Sequence, residues 1–122
     1  MRTFAEAIAP YPDAVRTLAT QTRTALRKLL PDCVETIDNA GPYIGFGYTH
    51  GYKGMVGTII VSKAGVKLGL AGAAALPDPD ELLEGRGKVH RYVVVSSAAT
   101  LRQRAVIALV RAADEQARSR VV

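Results

Sequence analysis

The sequence predicts an α+β fold: a two-layer domain in which an antiparallel sheet of about five strands is backed by an N-terminal and a C-terminal helix. Three observations carry this. Apolar residues recur at helical spacing near both ends of the chain, and at strand spacing in between. The joints between the strand-like segments are a few residues long, which suits antiparallel neighbours, since parallel pairs need a crossover of about a dozen residues or more. The strands alternate in polarity, so one covered face is enough, and two terminal helices can cover it.

The first helix spans residues 13 to 30. Val15, Leu18, Thr22, Ala25, Leu26 and Leu29 form its apolar stripe, and Arg16, Gln21, Arg23, Arg27 and Lys28 its polar face. Pro12 sits at its start and Pro31 ends it. From Val34 the period falls toward two, with strands at about 34–39, 43–49, 55–62 and 65–71. Ile44, Phe46 and Tyr48 share one face of the second. Met55, Gly57, Ile59 and Val61 alternate along the third, and Val66, Leu68 and Leu70 along the fourth. Gly41-Pro42, the loop His50 to Gly54 and Lys63-Ala64-Gly65 separate them, and a meander follows.

The stretch Leu76 to Tyr92 interrupts this scaffold with two prolines, two glycines and a dense mixture of acids and bases. Asp78 suits the cap of a short helical turn, with Pro79 at its first position, Glu81 three residues after the cap and Gly85 closing it. Val89 to Val95 forms the fifth strand. Ser96 or Ser97 then caps a last helix of about 98–118, its buried line running through Leu101, Ala105, Val106, Leu109, Val110 and Ala113.

A chain of 122 residues makes one domain, with its core at about 13–113, a short amphipathic lead-in over 1–11 and a frayed C-terminus at 119–122. No run approaches the ~18 apolar residues of a membrane span. Glu6 interrupts what would be the apolar part of a signal peptide, and the single Cys33 suits a reducing compartment, so a cytoplasmic location is expected. The formal charge is +5, sixteen Lys or Arg against eleven acids. These bases are spread over two helices without interleaved aromatics, which argues against nucleic acid as a partner.

Candidate chemistry is thin. Cys33, His50 and His90 are too few and too scattered for a transition-metal site, and no serine lies in a Gly-x-Ser-x-Gly elbow. Gly85-Arg86-Gly87-Lys88 lacks the spacing of a phosphate loop and leads into a strand. Cys33 reads as a small apolar residue at a helix-to-strand junction, and His50 as an exposed loop residue. The two glycines do let backbone N–H groups converge on an anion, with Arg86 and Lys88 supplying charge. Strand parity sets Lys88, His90, Tyr92 and Val94 on one face, and Val89, Arg91, Val93 and Val95 on the other. Arg91 thus stands at the margin of the core and demands a partner. One reading is an internal ion pair to Glu84, Glu81 or Asp38. The other is a ligand site in which Arg86, Lys88, His90 and Arg91 take a small anion or an acidic protein partner beside Tyr48 or Tyr43. Five tyrosines against two phenylalanines favour a polar-rimmed surface.

Glu35-Thr36-Ile37-Asp38, Gly45-Phe46-Gly47-Tyr48, Val66-Lys67-Leu68-Gly69-Leu70 and Ala75-Leu76-Pro77-Asp78-Pro79 mark the chain further. With Leu83-Glu84-Gly85-Arg86-Gly87-Lys88 and Arg91, they resemble the YdhG-like family, domain of unknown function 1801. The resemblance covers about residues 13 to 113. It implies a frataxin-like arrangement of sheet and terminal helices, and it brings an iron-chaperone reading with it. Iron handling of that kind uses a carboxylate ridge on the first helix and first strand. Here that helix carries Asp13 among four bases, and Glu35 and Asp38 fall on opposite faces of the strand. The functional expectation is therefore a non-enzymatic binding or interaction module without a cofactor, using the Gly85–Arg91 loop. Pairing into a homodimer is expected if the open sheet face is apolar. An iron-binding protein and a small enzyme are the alternatives.

Overall fold

The structure is a computed structural model and describes residues 2–37, 41, 43–85 and 90–121, with His90 described through its backbone alone. Five strands follow one another: β1 (Val34–Ile37), β2 (Tyr43–Gly47), β3 (Met55–Ser62), β4 (Gly65–Ala71) and β5 (His90–Val95). Each pairs antiparallel with the next, giving the spatial order β1-β2-β3-β4-β5 of a meander. Helices α1 (Phe4–Ile8), α2 (Asp13–Leu29) and α3 (Arg104–Val121) complete the α+β architecture. Among the described residues no helix is long and apolar enough to cross a membrane.

One face of the sheet is sealed by the helices. Ile44, Phe46, Ile59, Val61, Val66, Leu68, Leu70, Val93 and Val95 are buried in one cluster with Val15, Ala19 and Leu26 of α2 and Val106, Leu109, Val110 and Ala113 of α3. Helix α2 follows its expected stripe with one shift. Ala19 lies at its centre, while Leu18, Ala25 and Leu29 are half-buried at the margins. Small Ala19 lets the helix axis approach the sheet, which moves the larger flanking side chains outward.

The N-terminal lead-in is part of the core. Thr3 and Glu6 form a capping box, Glu6 N–H to Thr3 Oγ1 at 3.1 Å and Thr3 N–H to Glu6 Oε1 at 2.9 Å. The cap starts α1, which buries Phe4, Ala7 and Ile8. Arg23 of α2 lies 4.5 Å above the Phe4 ring and makes a fork of two bonds, 2.8 and 2.9 Å, to Glu35 of β1. A helix of five residues is unstable alone, so this packing rather than its sequence period holds it.

Three expected details are corrected. Asp78 caps a turn and not a helix, because its carboxylate accepts from Leu82 and Leu83 N–H, each at 2.9 Å, four and five residues on. Glu81 has φ +53°, which turns the chain out of the helical path after one hydrogen bond. The segment then reaches β5, where Glu84 and Tyr92 exchange backbone hydrogen bonds of 2.7 and 3.1 Å. The last helix is broken: Ser97 caps a 3₁₀ turn over Ala98–Arg102, and extended Gln103 (ψ 132°) separates it from α3. This break lets Thr100 and Leu101 both enter the core. Finally, the pairing of β2 with β3 slips after Phe46, so that Phe46 faces Gly57 while Gly47 faces Met55. The extra residue, Val56, is fully buried, and Met55 stands on the opposite face from the core line of Ile59 and Val61.

Candidate functional site

The uncovered face of the sheet is floored by a row running straight across the strands: Thr36, Gly45, Thr58, Gly69 and Tyr92 are register partners in β1 to β5. Two of the three central positions are glycine. The missing side chains leave a trough, an open cavity of about 580 Å³. Tyr43, Ile60, Met55 and Tyr92 wall it, and Thr49, His50 and Tyr52 of the β2–β3 loop close one end. The volume falls within the range typical of small-molecule sites, and the wall chemistry is mostly aromatic and aliphatic with a few polar groups.

The two glycines differ in kind from Gly47. A Cβ built on Gly45 meets nothing nearer than Thr36 O at 3.7 Å, so packing does not require glycine there. At Gly69 the tightest neighbour is the flexible end of Ile60, at 3.2 Å. On Gly47, a Cβ would lie 2.6 Å from Gly54 O and 2.9 Å from Met55 Cα, where the bulge brings two backbones together.

Polar groups are sparse and specific. The Thr58 hydroxyl, on the floor, donates to Met55 Sδ at 3.4 Å, a weak acceptor. His50 is exposed, as expected, and its Nδ1 lies 2.7 Å from Thr36 Oγ1. The loop carrying it is braced by Gly51 N–H to Thr49 Oγ1 (3.2 Å) and Tyr48 N–H to Gly54 O (2.9 Å). From α3, Arg120 donates to Met55 O at 2.9 Å and Lys53 O at 3.1 Å. These ties correct the expectation of a frayed C-terminal end, because α3 runs on to Val121 and its last turn fastens the trough wall.

The sequence-selected residues divide. Tyr43 and Arg91 both line the trough. His90 begins β5, paired with Ala71. Arg86 and Lys88 lie outside the described residues, as does Asp38 among the candidate ion-pair partners of Arg91. Tyr48 belongs elsewhere. It continues the helix-facing line of Ile44 and Phe46, and two strands separate β2 from β5, so it does not stand beside Arg91. Its hydroxyl instead donates to Asp114 Oδ1 of α3 and accepts from Arg118 Nε at 2.7 Å. Arg118 also reaches Asp114 Oδ2 at 3.2 Å and stacks 5.3 Å from the Tyr48 ring. Burial, then the proton-accepting Asp114 carboxylate, push the Tyr48 phenol up to about 12. Sequence reasoning missed the trough itself. Its signal was available as glycines at 45 and 69 in the middle of otherwise apolar strands.

Cys33 is half-buried beside this cluster, and burial pushes its thiol up from the ordinary 9.0. The thiolate is the reactive form, so Cys33 is expected to react with iodoacetamide several-fold more slowly in the native protein than in urea. Equal rates would show that the thiol is open to water. Among the described residues no group of three or more His, Cys, Asp and Glu stands together as a metal site.

Compared with protein-family models, curated proteins and solved structures, the chain matches none of them.

Proposed function

We propose that this protein is a ligand-binding module, not a catalyst, and that the trough on the open sheet face holds a small molecule bearing negative charge. The observation that supports it most is the glycine pair in the floor. A glycine in a strand interior costs roughly 0.5–1 kcal/mol relative to alanine, and at Gly45 no close contact accounts for that cost. What the glycine does provide is depth. Strand β5 contributes Arg91 and Tyr92 to the lining of the trough. In this reading the family resemblance supplies the scaffold and no chemistry.

The test is a fragment titration followed by amide NMR, with Gly45 variants as controls. Ring-bearing and acidic fragments are expected to shift Gly45, Thr58 and Gly69. Gly45→Ala should raise stability by about 0.5–1 kcal/mol, since the methyl meets only ordinary contacts. Gly45→Leu should abolish binding while leaving the fold intact, because the longer side chain fills the trough. Binding that survives Gly45→Leu would place the ligand elsewhere.

A second reading, association of two copies through this face, is favoured by one observation. Val34, Tyr43, Tyr52 and Val94, four of the five exposed large apolar side chains, lie on or around the open face. Sedimentation over a range of concentrations tests it, and a monomer at every concentration would remove it.

A further inference from the structure

We propose that the trough takes a flat aromatic carboxylic acid, with its ring over the Gly45 side of the floor and its carboxylate drawing on the Thr58 hydroxyl of the next strand. The inference rests on the ligand-binding reading above and narrows it to one chemical class.

Shape comes first. Gly45 and Gly69 flank Thr58 in register on adjacent strands. With strands about 4.8 Å apart, Gly45 lies one strand from Thr58, so a ring seated over that glycine has a substituent on its edge within reach of the hydroxyl. At Gly45, where a Cβ would meet nothing nearer than 3.7 Å, the floor presents a bare peptide plane against which a flat ring makes continuous contact. A flexible chain loses more rotational freedom for the same contact. The phenol rings of Tyr43 and Tyr92 bound the slot and offer edges and faces to an aromatic guest.

Charge comes next. Among the described lining residues there is no carboxylate. The whole chain carries +5, which favours approach by anions. Three tyrosines around a cavity also suit a cationic guest. Here, however, Lys67 Nζ already lies 4.5 Å from the Tyr92 ring centroid, so a resident cation occupies that site and repels another.

Hydrogen bonding agrees. The Thr58 O–H is spent on a thioether, a poor acceptor, at 3.4 Å. A carboxylate oxygen is a far better one, so the hydroxyl gains on switching to the ligand. His50 has Nδ1 engaged with Thr36, which leaves Nε2 for a second polar group of the guest.

The experiment uses the full chain, with naphthoate as probe and naphthamide and decanoate as comparators, followed by calorimetry and amide NMR. Naphthoate is expected to bind saturably and to shift Gly45, Thr58 and Gly69. Naphthamide should bind about tenfold more weakly, the loss of one charge-assisted contact. Decanoate should be weaker than naphthoate. Thr58→Val, close to isosteric, should weaken naphthoate about tenfold with the melting temperature held. Decanoate binding as well as naphthoate overturns the ring, naphthamide binding as well overturns the acid, and an unchanged affinity in Thr58→Val overturns the placement of the carboxylate. Should naphthoate fail while another fragment shifts Gly45 and Gly69, the class is wrong and the site stands. If no fragment of any kind moves those residues, both readings fall together.

Discussion

Gly47→Val is expected to cost about 3 kcal/mol of stability, the upper end of what overpacking does. In a domain of this length that corresponds to a fall of roughly 10 °C in Tm. The reason is local. The bulge after Phe46 draws β2 onto the end of the following loop, and a Cβ on Gly47 meets the Gly54 carbonyl oxygen at 2.6 Å and Met55 Cα at 2.9 Å. Backbone on both sides leaves no flexible group to give way. Relief would come from pushing the 48–54 loop away, and that loop supplies Thr49, His50 and Tyr52 to the trough. The variant should therefore lose fragment binding as well as stability. A Gly47→Val protein melting with the parent would show that the close approach does not exist.

Asp114→Ala is expected to cost about 2 kcal/mol, the loss of a partly buried acceptor that leaves the Tyr48 hydroxyl proton without its partner. Asp114 is 16% exposed and joins α3 to the end of β2 through Tyr48, with Arg118 as the third member. The same cluster makes stability depend on alkaline pH. The Tyr48 phenol titrates at about 12 in the fold against an ordinary 10, so folding favours its neutral form. That contribution is fully present below about pH 10 and disappears as the pH rises toward about 12. Tyr48→Phe removes it, so urea midpoints of wild type and variant should converge over that window. A constant difference between the two curves would mean that the phenol is not held protonated by its surroundings.

Much of the fold was legible because it rests on periodicity. The alternation of Ile44 with Phe46, of Ile59 with Val61 and of Val66 with Leu68 assigns the buried face. The short joints at Lys63-Ala64-Gly65 and around His50 dictated antiparallel neighbours. What escaped was set by tertiary packing. Helix α1 is too short to show a period and is visible only through its cap and through Phe4 under Arg23. The bulge at Phe46 and Gly47 shifts Met55 by one place, which no alternation rule foresees. The site was legible in part. Tyr43 and Arg91 line the trough, but Tyr48 was grouped with them although its own parity with Ile44 and Phe46 sets it on the helix side. The charged Gly85–Arg91 loop is the louder feature of the sequence. The quieter signal was two glycines interrupting strands where a valine would have been ordinary.

The guanidinium of Arg120 grips the carbonyls of Lys53 and Met55, 67 and 65 residues earlier in the chain. A nascent polypeptide can pair its first four strands long before that arginine emerges from the ribosome. Until then the rim at His50 and Tyr52 lacks its fastening, so a ligand added during synthesis should find no finished pocket. The rim of the trough is thus fastened later in synthesis than the strands of its floor can first pair.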